Sequence, residues 1–580
     1  MTPSRTAGRR SSRRFQARRR LAVMGGVISL ACLLLVGRLA QVQLLGGQRY
    51  VAYGSAQMNR VVTLTPQRGP LLDRNGNVLA MSLPVEDVYA DPHQVTNASN
   101  EAQVLSPLLH VPRPVLLRQL KARTSFVYLA RQVSAGVSAA IRAKNLPGIN
   151  FLPDSRRFAP DGNLALPVLG FTGLDNQGLA GLEYKYNSLL AGKPGQAVMR
   201  VNPWGTPITG GLLQMHPAVP GRGLRLTLDT AIQYETEQAL SQEIVASHAR
   251  SGMAVIEDSA TGQILSMASL VASPHGSPQP APSNFPVTYT YEPGSVMKLS
   301  TFSGALGAHI ITPSTPIHVP SQLVIAGSVF HDAEPHGPEV LTATQVLAQS
   351  SNMGTIKIAE RLGAHGVSHW IRAFGFGSHT GLGFPGASTG IVRPVSTWSA
   401  TAIGSTPIGQ DTGVTAMQVL DAYNVLANGG VFVPPRLVQG TVTGSRFQPL
   451  PPPARHRVVA PWVAATMTQM LRHVATNQGT APAAAIPGYT VAGKTGTAQK
   501  PLTNGRGYIP GAFMGTFVGY VPAQHPVLTA VVVLDRPTPI YGGSVAAPVF
   551  AKICGYALRL MDVPPTSTGT SSGTTGAGAG

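Results

Sequence analysis

Residues 21 to 45 leave this chain few choices. Leu21 to Gly37 is an apolar run, broken by Arg38 and resumed from Leu39 to Leu45. Inside a lipid layer each backbone N–H and C=O must find its partner within the segment, so a single run of this kind crosses only as a helix. Crossing takes about 20 apolar residues, with a range near 17 to 25. The run suffices, because Arg38 can snorkel to the far interface. Just before it stand Arg5, Arg9, Arg10, Arg13, Arg14, Arg18, Arg19 and Arg20, with no acidic residue among them. A positive flank predicts a cytoplasmic N-terminus and a chain that continues outside. We therefore expect a basic cytoplasmic arm over residues 1–20 and a transmembrane anchor over residues 21–45. The rival is a cleaved signal peptide, but no clean small-x-small site follows the run. Of the net charge of +20, the arm holds +8, and the remaining +12 is spread over a charge-poor chain without basic runs. That pattern argues against nucleic acid as a partner.

Three short motifs follow in order. Ser295-Val296-Met297-Lys298 reads SxxK, Ser350-Ser351-Asn352 reads SxN, and Lys494-Thr495-Gly496-Thr497 reads KTGT. A serine hydroxyl is a poor nucleophile until a base takes its proton. Ser295 and Lys298 are three residues apart, which on a helix places them on one face. Pro293-Gly294 breaks the chain before them and no proline follows up to Ala305, so a helix is predicted from Val296. Ser295 then sits near its N-terminus, where free N–H groups favour a developing alkoxide. Lys298 accepts a proton only when neutral, so its pKa must fall from about 10.4. Burial and a nearby cation both lower it, and Lys494 is the obvious second cation. Alone, Lys298 would read as a solvated helix charge. Ser350 and Asn352 follow a helical pattern from Leu341 to Gln349. Residues two apart do not share a helix face, so a turn or irregular helix end is implied. There a hydroxyl can pass protons and an amide can bind a peptide group. Tyr489-Thr490-Val491 favours a strand leading into KTGT. Gly493 and Gly496 would let another backbone come close, an exposed edge can take an extended peptide by strand addition, and Thr495 and Thr497 offer hydroxyls to a carboxylate.

The rest of the pattern is mixed. Residues 46–225 alternate strand-like pieces with Pro/Gly turns, and Asn75-Gly76 between Leu71-Leu72 and Val78-Leu79 is a hairpin signal. Pro203 to Gly223 is rich in glycine and proline and marks a boundary. A helix over 230–250, hairpins over 253–267 and 513–535, and a closing helix over 548–561 predict an α+β domain over residues 226–562. Residues 563–580 form a tail whose Ser/Thr/Gly/Ala composition predicts disorder. Cys32 and Cys554 lie far apart in the chain, so neither a disulfide nor a cysteine metal site is expected. His331-Asp332-Ala333-Glu334-Pro335-His336 invites a zinc reading, but its proline and flanking glycines indicate a surface loop. No metal and no cofactor are expected. The scarcity of carboxylates in an exported domain fits an acidic exterior, where few need protonating.

The ordered motif set is that of penicillin-interacting serine acyl-transferases, and the chain resembles class B penicillin-binding proteins, most closely those of division. Arg68-Gly69-Pro70-Leu71-Leu72-Asp73-Arg74-Asn75-Gly76 resembles the family's RGxIxDRNG segment, with Leu71 for isoleucine. Arg157-Phe158, Gly170-Phe171-Thr172-Gly173, Gln177-Gly178 and Gly181-Leu182-Glu183 resemble its second non-catalytic block. Tyr291-Glu292-Pro293-Gly294-Ser295, Gly383-Phe384-Pro385-Gly386, Ala427-Asn428-Gly429-Gly430 and Ala547-Pro548-Val549-Phe550 also match. Two positions depart from the pattern. Leu166 follows Ala165 where a histidine is common, and Ile408-Gly409-Gln410 stands where division enzymes often carry a Gly-Tyr-Gly type segment.

The resemblance implies a non-catalytic pedestal over residues 46–225 and a penicillin-binding transpeptidase domain over residues 226–562. It implies a D,D-transpeptidase of the bacterial inner membrane that cross-links peptidoglycan stem peptides ending in D-Ala-D-Ala and is acylated by β-lactams. Ser295, Lys298, Ser350, Asn352 and Lys494 would be catalytic, Thr495, Gly496 and Thr497 substrate-binding, and the backbone N–H groups of Ser295 and Thr497 the oxyanion hole. The implied partners are an FtsW-type glycan polymerase and other division proteins. The alternatives are an elongation-type transpeptidase, a D,D-carboxypeptidase or β-lactamase-like hydrolase, and a non-catalytic β-lactam-binding scaffold. A lactamase needs a residue that activates water for deacylation, and the sequence reveals none.

Overall fold

The computed structural model describes residues 10–45, 54, 58–201, 207–274, 276–502 and 507–566. The tail expected over 563–580 therefore lies outside the described residues from 567 onward. At the N-terminus one helix runs from Arg10 to Ala40 and passes into a looser turn, Gln41–Leu45. Ala17–Gln43 has a mean hydropathy of 2.1, and none of it packs against the rest of the chain. From Leu21 to Gly37 it is apolar on every side, as suits a helix long enough to cross a membrane.

The region that follows is built on a sheet that continues into the second half of the chain. Leu71–Leu72 forms the expected hairpin with Val78–Ala90, and Gly76 takes φ 93° in its turn. Leu71–Leu72 also pairs in parallel with Gly223–Leu226, which pairs in turn with Val438–Thr443. Val127–Val133 and Ile149–Phe158 both pair with Val78–Ala90. One seven-stranded sheet thus carries strands from both sides of residue 225. The segments quoted for the family resemblance meet here around one carboxylate. Glu183 accepts from Arg68 Nε at 2.5 Å and from Arg157 Nε at 2.7 Å, and the spare guanidinium N–H groups go to the backbone of Asn176, Glu183 and Gly69. Two cations, Arg68 and Arg157, share one buried anion, and the second also brings Nη2 within 2.6 Å of Glu183 Oε1; buried charges persist only when paired in this way.

The Gly/Pro-rich stretch read as marking a boundary contains regular structure. Pro207–His216 is a strand of a small sheet with Gly195–Val201 and Asn59–Leu64. Its register against Gly195–Val201 shifts twice, and such bulges accommodate residues like Gly210 and Gly211 in a strand.

The second half is organised by a six-stranded antiparallel sheet in the order Gln279–Pro280, Gln263–Val271, Ser251–Asp258, Leu528–Asp535, Tyr508–Val521, Ala492–Pro501. Leu528–Asp535 is buried along its whole length, which is why it reads as an apolar run and not as an alternation. Thr230–Ala246 and Gly542–Leu560 cover one face, packing Leu240, Phe550 and Ile553 on the sheet. Ala416–Ala427 covers the other, and Lys298–Gly307 packs within the same core against Asn352–Ala373 and Pro461–Arg472, with Phe302 and Tyr423 fully buried. Burying one large side chain of this kind stabilises by about 1.5–3 kcal/mol. The architecture is the expected α+β arrangement. The closing helix begins six residues before Pro548, because Val545, Ala546 and Ala547 are buried against the sheet. That burial outweighs the hydrogen bond a mid-helix proline forfeits.

Candidate active site

The SxxK segment is tighter than expected. Gly294–Met297 forms a 3₁₀ turn, and the α-helix begins only at Lys298. In a 3₁₀ turn residues i and i+3 eclipse, so Ser295 and Lys298 still share one side. Two long-range contacts shape this turn. Gly294 sits at φ 58° and donates its N–H to Gly409 O at 3.1 Å; a Cβ on Gly409 would lie 2.1 Å from Gly294 O. Tyr423 Oη donates to Val296 O at 3.1 Å from the buried helix Ala416–Ala427. Nothing local in the sequence marks Gly409 or Tyr423 for this work.

Lys298 is fully buried and collects the SxN motif. Its Nζ donates to Ser350 O at 2.5 Å and Asn352 Oδ1 at 2.9 Å, with Ser350 Oγ farther off at 3.4 Å. The expected turn is present. Helix Ala343–Ala348, opened by a Thr342–Gln345 capping box, ends before Ser350, which adopts φ 64°; a second helix starts at Asn352 with Ser351 as its cap. Burial pushes the Lys298 pKa down to about 7, and the Asp332 carboxylate pulls the other way.

KTGT lies on Ala492–Pro501, the edge strand of the six-stranded sheet. Lys494 is also fully buried, and its pKa is lowered by burial first and by the Lys298 charge second. Burial is the first cause for both lysines, and the repulsion between the two cations adds to it. Gly496 faces the SxxK turn, where an added Cβ would stand 2.8 Å from Pro293 O. A Cβ on Gly294 would come within 3.3 Å of Thr497 O, so the turn that carries Ser295 lies against the backbone of Thr497. Thr495 Oγ1 lies 2.7 Å from Thr480 Oγ1 and 3.4 Å from Lys494 Nζ. Thr497 Oγ1 accepts from Gly542 N at 3.3 Å. Its hydroxyl thus meets the closing helix, and its backbone lies at the site.

Two acids near the site stood in segments quoted from the sequence but were given no role there. Glu292, three residues before Ser295, accepts from Asp411 N at 3.0 Å and Tyr508 Oη at 3.1 Å, and burial pushes its pKa up to about 7. Asp332, from the loop with two histidines, reaches the SxN turn: it accepts from Ser351 Oγ at 2.7 Å, from Asn352 N, and from Met353 N at 3.1 Å. Among the described residues no group of three or more His, Cys, Asp or Glu side chains could hold a metal ion.

Comparison with known proteins bears on this geometry. A family profile described as the penicillin-binding protein transpeptidase domain matches residues 252–555, and one described as the penicillin-binding protein dimerisation domain matches residues 63–226. Penicillin-binding protein PbpB of Mycobacterium tuberculosis is 34% identical, over 90% of this chain and 82% of its own. Peptidoglycan D,D-transpeptidase FtsI of Escherichia coli is 31% identical, over 95% of this chain and 93% of its own. Among solved structures, penicillin-binding protein 3 of M. tuberculosis complexed with aztreonam superposes with a TM-score of 0.67 at 30% identity, covering 87% of this chain and 98% of that one.

Proposed function

The chain belongs to the class B penicillin-binding transpeptidases and is a serine D,D-transpeptidase of peptidoglycan; on that premise we propose which of its residues carry the reaction, and where in the cell. Ser295 Oγ attacks the carbonyl carbon of the penultimate D-alanine as Lys298 Nζ takes its proton. The tetrahedral oxyanion is held by the N–H groups of Ser295 and Thr497. The C–N bond then breaks, and D-alanine leaves with a proton returned through Lys298 and Ser350. An amine of a neighbouring stem attacks the acyl-enzyme ester and frees Ser295. The stem peptide lies along the edge of Ala492–Pro501 as an added strand, with Asn352 on its amide and Lys494, Thr495, Gly496 and Thr497 around its carboxylate. A β-lactam acylates the same serine.

One observation carries this reading. Lys298 shares the turn of Ser295, bonds Ser350 and Asn352, and is buried close enough to Lys494 to perturb it. The test is intact-mass analysis and peptide mapping after incubation with a β-lactam. A single adduct on Ser295, lost in Ser295→Ala, is expected. An adduct on Ser350 or Ser351 overturns the assignment.

We place the enzyme in septal synthesis, with residues 46–225 as the pedestal, residues 226–562 as the catalytic domain, the arginine arm in the cytoplasm and the catalytic domain outside. Similarity to the peptidoglycan D,D-transpeptidase FtsI of E. coli, the resemblance of the Tyr291–Ser295 segment to division enzymes and the basic flank of the apolar helix support this. Gly25, Gly26 and Gly37 give the anchor small faces for another membrane helix, and the resemblance implies an FtsW-type polymerase as that neighbour. Depletion in a rod-shaped host should give filaments with blocked septa; round, swollen cells would assign the enzyme to elongation. N-terminal sequencing of membrane-extracted protein should recover the arginine arm. A soluble product starting near Ala40 would mean cleavage.

A further inference from the structure

The acceptors that hold Lys298 are themselves held from outside the three motifs. Ser350 sits at φ 64°, a left-handed conformation that costs a non-glycine residue about 1 kcal/mol or more and persists only when its surroundings impose it. The chain just beyond it is fastened to Asp332. One carboxylate oxygen takes the N–H groups of Asn352 and Met353; the other takes the hydroxyl of Ser351 and lies 3.0 Å from His336 Nε2. These N–H groups open the helix Asn352–Ala373, whose dipole favours an anion there. The same loop supplies His331 O, which accepts from Asn352 Nδ2 at 3.1 Å and orients that amide so that Oδ1 faces Lys298. His336 is partly exposed and completes the chain to solvent, with Nδ1 2.7 Å from Gly337 O and 3.4 Å from Glu339 Oε1.

We propose that Asp332 is a positioning residue of the acylation machinery, locking the Ser350–Asn352 turn onto Lys298, and that His336 tethers Asp332 and offsets its field at Lys298. The inference rests on Lys298 acting as the base. Among the described residues, the charged or titratable groups facing Asp332 are Lys298 from the SxxK helix and, from its own loop, His336 and His331, whose Nδ1 lies 2.8 Å from Asp332 O; Lys494 stands behind the first and Glu339 behind the second. A negative Asp332 holds the Lys298 proton. A protonated His336 offsets that hold, and its own pKa is raised by Gly337, Asp332 and Glu339.

The opposed signs make a test. The full chain in detergent is acylated with a fluorescent penicillin between pH 5 and 9. Asp332→Asn removes the charge, so Lys298 loses its proton more readily and the acid limb of the rate profile moves to lower pH. The loosened turn also slows the plateau by about 10- to 100-fold. His336→Gln removes the offsetting charge and leaves Asp332 in place, so the acid limb moves to higher pH. Asp332→Glu should restore part of the rate and the unshifted limb. Slower acylation by both variants with an unmoved limb, or wild-type behaviour of both, overturns the proposal. If Asp332→Asn does not fold, the direction of the His336→Gln shift decides. Failure of the wild-type chain to be acylated at Ser295 would instead overturn the catalytic assignment beneath it.

Discussion

Replacing Lys298 by arginine separates charge from basicity. At its ordinary value near 10.5, about one lysine in several thousand is neutral at pH 7; with the pKa brought down to about 7 by burial, about half are. Desolvation therefore raises the population of competent base on the order of 10³-fold. Arginine keeps the cation but stays protonated at any working pH, so it forfeits that gain. Lys298→Arg should slow acylation by about 10³-fold, within the ~10²–10⁴-fold typical of general-base removal, and should fail almost as badly as Lys298→Ala. The assay is stopped-flow acylation with a fluorescent penicillin, read against pH, with melting curves to show that each variant folds. The wild type should lose rate below an apparent pKa near 7 as Lys298 protonates. Near-normal acylation by the arginine variant, or a wild-type rate flat from pH 5 to 9, would refute the reasoning.

Three further outcomes follow from the packing. Gly496→Ala places a methyl 2.8 Å from Pro293 O, so the KTGT strand must move off the SxxK turn. Acylation should fall about 10²-fold and stability by about 1–3 kcal/mol, and an unchanged rate would contradict the close approach. Glu183→Ala strands the buried Arg68 and Arg157 guanidiniums and should cost about 3–5 kcal/mol in denaturant unfolding; a loss under about 1 kcal/mol would show the knot is not a buried ion network. Glu257 and Asp421 are buried together, and only Asn424 Nδ2, at 3.0 Å, donates to Glu257 among the described residues. Burial raises both pKa values, and for Glu257 the Asp421 charge adds to it. Folded values above unfolded ones mean stability that is fully present in acid and lost as pH rises from about 4 toward the folded values. Melting temperature should therefore fall between pH 5 and 8, and Glu257→Gln with Asp421→Asn should flatten that fall. An equally steep fall in the double variant would discard the pair as its cause.

The sequence by itself determined what local chemistry and local periodicity can encode. The apolar N-terminal helix is legible because a long apolar run has one backbone solution in lipid. The pairing of Ser295 with Lys298 is legible because three residues of spacing means one side in either an α or a 3₁₀ turn. The Asn75-Gly76 hairpin is legible because that dipeptide suits the turn. The tertiary structure decided everything that depends on burial or on partners far along the chain. Lys298 is an unremarkable helix lysine until the fold removes its water, and Asp332 belongs to a surface loop until that loop folds over residues 351–353. The Arg68–Glu183 contact joins positions 115 apart; each segment could be matched to a family pattern, but not to the other. Pro207–His216 became a strand and the closing helix began before Pro548 for the same reason. Propensities near glycine and proline amount to about 1–3 kcal/mol, and pairing with a neighbouring strand or burying a helix face outweighs them. Only the folded chain supplies those neighbours.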